Sequence, residues 1–204
     1  TNVLWTLEDS GNANAIYGLN AENGSLEKTI TIENTQNIDW EDITKDSEGN
    51  LYIGDFGNND NDRQDLCIYK IDKNALDKEN TTPAYKISFA YPEQKEFPPN
   101  DLERHFDAEA MTYFEGQLWI FTKNSTKPFD GISFVYMVQF EANQTKTLSK
   151  VSDLKLNKTS YLKDAVTSAC TDDHSIVLTT YNRMMKLDFP KQGLSKSTIY
   201  KYPH

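Results

Sequence analysis

Leu51-Tyr52-Ile53-Gly54-Asp55-Phe56-Gly57-Asn58-Asn59 is an apolar strand that runs straight into a polar turn. The pattern occurs three more times. Leu4-Trp5-Thr6-Leu7 precedes Glu8-Asp9-Ser10-Gly11-Asn12, Leu118-Trp119-Ile120-Phe121 precedes Thr122-Lys123-Asn124, and Ile176-Val177-Leu178-Thr179 precedes Thr180-Tyr181-Asn182-Arg183. Before each copy except the first stands a strand of acidic pattern, at 37–44, 107–112 and 164–169. Repeats of about 40 to 50 residues built from short strands point to a β-propeller, because one small sheet cannot bury both of its faces alone.

Working outward from the quoted stretch gives an all-β fold of four-stranded antiparallel blades. The second repeat (37–93) reads as an inner strand at 37–44, a hairpin turn through Ser47-Glu48-Gly49-Asn50, then strands at 51–54, 66–71 and 85–91. The third (107–156) and fourth (164–204) copy it, while the first (1–36) has three strands and no acidic inner one. About four blades are therefore visible in one domain. They read as an incomplete part of a five- to seven-bladed propeller, most simply six-bladed, in which remaining blades or a partner chain close the ring. Trp5, Tyr52 and Trp119 recur at one strand position and are expected to pack blade on blade. Residues 94–106 contain Pro98-Pro99 and read as an inserted surface loop, and 72–78 as a single helical turn.

Composition narrows the function classes. The net charge of −10 argues against a nucleic-acid partner, since phosphate backbones need clustered Lys and Arg. No apolar run is long enough for a membrane span. Cys67 and Cys170 both sit in apolar strand contexts and read as buried free thiols. The chain opens at Thr1 almost inside a strand, as a processed product or a fragment would.

The chemistry concentrates in Asp-x-Glu at 39/41 and 107/109. Residues two apart in a strand share a face, so these carboxylates are expected to gather at one end of the channel. Asp164 is placed at the matching position of the fourth repeat, and Lys123 and Arg183 at a shared basic position nearby. Crowded like charges need a cation or basic partners. Two readings follow: a calcium site from Asp39, Glu41, Asp55, Asn58, Asp107 and Glu109, or carboxylates satisfied by backbone amides and by Lys123 and Arg183. The structural reading is the favoured one. His105 reads as an exposed loop histidine, and no nucleophile elbow or phosphate-cradling glycine loop appears.

The stretches Leu4-Trp5-Thr6 to Asn12, Asp39-Trp40-Glu41-Asp42-Ile43, Leu51 through Asn59, Asp107-Ala108-Glu109-Ala110 and Thr122-Lys123-Asn124 resemble a family of largely uncharacterised secreted bacterial β-propeller proteins. That family is distantly similar to calcium-dependent six-bladed lactonase and phytase-like propellers. The resemblance implies export to the periplasm or cell surface and delivers no reaction. Two functions are weighed. One is a non-catalytic binding or scaffold propeller of the cell envelope, presenting loops 55–63, 94–106 and 122–131 to a protein or glycan. The other is a calcium-dependent hydrolase of a lactone or phosphoester, with Lys123 and Arg183 holding an anionic group. The first is favoured.

Overall fold

The computed structural model describes residues 2–138, 143–172, 174–188 and 195–201, and its four sheets are the blades of a β-propeller. The first blade holds β1 (Val3–Leu7), β2 (Ala15–Asn20) and β3 (Leu26–Ile32). The second is β4 (Trp40–Lys45), β5 (Leu51–Asp55), β6 (Cys67–Ile71) and, after a two-residue strand β7 (Asn80–Thr81), β8 (Tyr85–Ala90). The third is β9 (Asp107–Phe114), β10 (Gln117–Lys123), β11 (Ile132–Val138) and, after β12 (Thr145–Thr147), β13 (Ser149–Lys155). The fourth is β14 (Val166–Thr171), β15 (Ser175–Thr180), β16 (Arg183–Asp188) and β17 (Ser195–Lys201), preceded by one helical turn α1 (Tyr161–Asp164). Phe189 and Tyr202, expected at strand ends, lie outside the described residues.

Strand alternation builds the core. Successive residues of a strand face opposite sides, so each second strand feeds two apolar layers at once. Ile53 joins Ile16, Ile30 and Trp40 between the first and second blades, while its neighbour Tyr52 joins Phe89, Met111 and Tyr136 between the second and third. Trp119 and Phe121 face the fourth blade beside Ile176 and Leu178, and Leu118 and Ile120 face the second. Trp5 packs into the first layer, so the three recurring aromatics do join blade to blade.

Two short strands were invisible in the sequence pattern. β7 pairs in parallel with β3, and β12 pairs in parallel with β8. In each case the chain between a blade's third and fourth strands reaches back to the outer edge of the preceding blade. The correspondence makes β3 a fourth strand and β1 a second strand. Among the described residues no strand lies inside β1, so the first blade lacks an inner strand, and Leu4 there is 60% exposed.

The inner strands β4, β9 and β14 share a β-bulge. Register shifts fall between Trp40 and Asp42 opposite β5, between Phe121 and Thr122 opposite Ala110 and Ala108, and between Val166 and Ser168 opposite β15. Glu41, Glu109 and Thr167 are the extra residues. A bulge re-aims the side chain it carries and often borders a site. Asp39 precedes its strand, so simple alternation is not what brings it beside Glu41. The bulges also correct the fourth repeat by one residue. Ala165 and Thr167 correspond to Asp39/Asp107 and Glu41/Glu109, and Asp164 ends α1 outside the inner strand. Cys67 is buried as expected; Cys170 is exposed instead, and both are free thiols.

Candidate functional site

One end of the blades carries both the acidic channel residues and the long loops. Three carboxylates converge there: oxygens of Asp9, Asp39 and Glu41 lie within 4.8 Å of one another. Gly57 makes the room, because a Cβ on it would clash with Asp39 Oδ2 and Glu41 Oε1. Burial first, and then the like charges of Glu109 and Asp39, push the Glu41 carboxyl up to about 9. Asp39 is also raised, chiefly by burial and against the Ser10 hydrogen bond.

The neighbouring acids are largely satisfied by the protein. Asp107 is fully buried, and its Oδ1 accepts the Asn58 amide at 2.8 Å, while Oδ2 has no partner. Burial lifts its carboxyl to about 7. Glu109 pairs with Lys123, whose ammonium also stands 5.5 Å from the rings of Tyr161 and Tyr181. Asp164 pairs with Arg183 and accepts the Thr159 amide at 2.7 Å. Asp55 Oδ1 takes the Arg63 guanidinium at 2.9 Å and the Asp39 amide at 3.2 Å, leaving a buried Oδ2 unpartnered.

This geometry splits the expected ligand set. Asp39 and Glu41 come together, and the Asp107 Oδ2 is an unused buried acceptor. Asn58 is committed elsewhere: its Nδ2 donates to the Phe106 carbonyl at 2.9 Å and its Oδ1 accepts the Arg63 amide at 2.9 Å. Lys123 and Arg183 are held by Glu109 and Asp164 rather than presented to an anion. Asp9 was missed because Asp9-Ser10-Gly11-Asn12 reads as an ordinary turn; nothing in its spacing ties it to Asp39.

The loops are welded by buried amide side chains. Asn61 is fully buried at φ 56°, in the left-handed region that asparagine tolerates. Its Oδ1 accepts the Phe106 amide at 2.8 Å, its Nδ2 donates to the Asn58 carbonyl at 3.1 Å, and its own carbonyl accepts Gln94 Nε2 at 2.7 Å. Loop 122–131 joins the insert through Ser125 N to Arg104 O at 3.0 Å and Lys127 N to Asp101 O at 2.9 Å. Asn124 folds that loop on itself, donating to Asp130 and the Ile132 carbonyl while Thr126 donates to its Oδ1.

His105 belongs to this weld and is buried, contrary to the exposed loop position expected. Asn124 Nδ2 approaches its Nδ1 at 3.1 Å, and its Nε2 faces Asp130 at 3.4 Å. The ring stacks on Phe134 with centroids 4.4 Å apart. Both nitrogens are engaged, so this histidine is a clasp and not a free base.

No protein-family model matches the chain, and no curated protein does either. Among solved structures it is similar to BamB from Moraxella catarrhalis. The two are 12% identical with a TM-score of 0.38, over 98% of this chain and 61% of that one. The chain thus spans less than two thirds of that protein's length. The propeller assignment stands on the four sheets of this chain itself. No helix among the described residues is long and apolar enough to cross a membrane.

Proposed function

We propose that this chain is a non-catalytic binding propeller, exported and acting in the cell envelope, whose working face is the platform of loops 55–63, 94–106 and 122–131. The observation that carries this reading is Asn61, a fully buried side chain whose hydrogen bonds lock loop 55–63 to the insert. Loops of this length held rigid on a scaffold are suited to recognition at low ordering cost. The one buried histidine of the platform is used up in holding it together. Export follows the resemblance of the strand-turn motifs to secreted bacterial propellers. The test replaces 94–106 by a short Gly-Ser linker and compares binding to peptide and glycan arrays. Binding by the parent that disappears in a replaced chain with an unchanged melt supports the platform; retained binding removes it.

A second reading is favoured by one specific feature, the convergence of Asp9, Asp39 and Glu41 within 4.8 Å of one another. An all-carboxylate oxygen set fits a hard cation such as calcium. Asp9, Asp39 and Glu41 would hold it, and Gly57 keeps the space open. A bound ion would supply Lewis-acid chemistry for a lactone or phosphoester. Calcium titration by calorimetry, with Asp39→Ala as control, decides whether an ion binds at all.

A further inference from the structure

Between the insert and the third blade lies a cleft of about 390 Å³ that no channel residue lines. Its floor is aromatic: Phe106 and Phe134, with the His105 ring stacked on the latter. Leu102, 66% exposed, stands at its edge with no apolar cover. The rim is acidic, with Glu93, Glu96 and Glu103 against a single Lys95. Burial holds the His105 pKa below its ordinary value, so that ring is uncharged at neutral pH, and the Lys150 ammonium, 3.3 Å from the Phe134 centroid, is paired with Asp153 at 2.6 Å.

We propose that this cleft binds a cationic peptide segment that inserts one apolar side chain. The volume is at the small end of ligand pockets, which suits a side chain and its flanking backbone rather than a folded surface. The aromatic floor rewards an aliphatic or aromatic anchor, and three carboxylates around it favour Lys or Arg on either side. An anionic ligand meets the same rim as repulsion, and a neutral one leaves it unused. The lining is pre-organised: Glu93 Oε2 accepts the Tyr136 hydroxyl at 2.8 Å, and Glu103 accepts Asn100 Nδ2 at 2.6 Å. This inference rests on the binding-platform reading and names its ligand chemistry.

The probe is a dye-labelled peptide with one leucine between two lysine pairs, and its counterpart with glutamates in place of the lysines. Anisotropy is read at low and high salt on the parent, Glu96→Lys, Leu102→Ser and the chain with 94–106 replaced. Both point variants lie on exposed side chains and are expected to fold. The expected result is binding of the lysine peptide only, weakened by salt and about tenfold by Glu96→Lys, equivalent to ~1.4 kcal/mol. Absence of binding, equal binding of both peptides, or an unaffected Glu96→Lys overturns the proposal. If the lysine peptide fails while an array ligand is still lost on replacing 94–106, the cleft chemistry is wrong and the platform stands. If replacement loses nothing, the platform fails as well.

Discussion

Asp42 in β4 accepts the backbone amide of Ala169 in β14 at 3.3 Å, across 127 positions of sequence. The same Oδ2 takes the Met111 amide of β9 at 2.8 Å, and Oδ1 takes the Ile43 amide at 3.0 Å. One buried carboxylate therefore ties the three inner strands around the channel. Removing it strands buried N–H groups, each worth roughly 1–3 kcal/mol when left unpaired. Asp42→Ala is expected to lower stability by about 2–4 kcal/mol in urea melts, with Asp42→Asn intermediate. A loss below about 0.5 kcal/mol would show that the blades do not depend on this hub.

Lys123 and Glu109 test the buried ion pair of the third blade. Their side chains are 6% and 14% exposed. Breaking a buried pair on one side leaves a bare charge and costs about 3–5 kcal/mol, whereas replacing both partners is far milder. Lys123→Met is expected to destabilise strongly, and Lys123→Met with Glu109→Gln to recover much of the loss. Additive losses in that double-mutant cycle would mean the pair is not coupled.

His105 sets a pH dependence. Its folded pKa is lowered by burial, against the raising influence of Asp130, of the Ile132 backbone hydrogen bond and of Asp153, and with Lys150 adding to the lowering. A depressed histidine binds protons more readily when unfolded. Its contribution is therefore complete above the unfolded value of about 6.5 and is lost as pH falls through the folded value. Stability should decline over that acidic window in the parent and less so in His105→Gln, which keeps a polar side chain beside Asn124 without titrating. Parallel pH profiles for the two proteins would contradict this.

Glu41 gives the opposite slope. Its carboxyl is raised to about 9 from 4.5, so its contribution is intact below 4.5 and lost as pH rises through 9. Melting temperature in chelator should fall between these limits, and Glu41→Gln should flatten the fall and melt higher at pH 8. If calcium occupies the site, it should flatten the parent's curve in the same way and leave Glu41→Gln unmoved. No calcium effect on the parent would end the cation reading.

The blade plan was legible because each second strand alternates two apolar sets, as Tyr52 and Ile53 do, between polar turns that mark the ends. The missing inner strand of the first blade was legible for the same reason. Strand register was not. The bulges at Glu41, Glu109 and Thr167 depend on pairing across the sheet, and the sequence showed only spacing, so Asp164 was matched one residue out of place. β7 and β12 carry no apolar pattern because they gain only backbone pairing at a blade edge. Asp42 and Asn61 looked like ordinary strand and turn residues, since their partners lie 69 and 45 positions away.

On the proposed function, a rigid loop platform rather than the channel does the binding. Asn61 lies beneath that platform, fully buried. The measurement is array binding by the parent and Asn61→Ala side by side, with melts to confirm that the blades remain folded. Binding by the parent that weakens at least tenfold in Asn61→Ala is the predicted result. Equal binding by both, or binding that instead requires calcium and vanishes in Asp39→Ala, would take the function away from the loop platform.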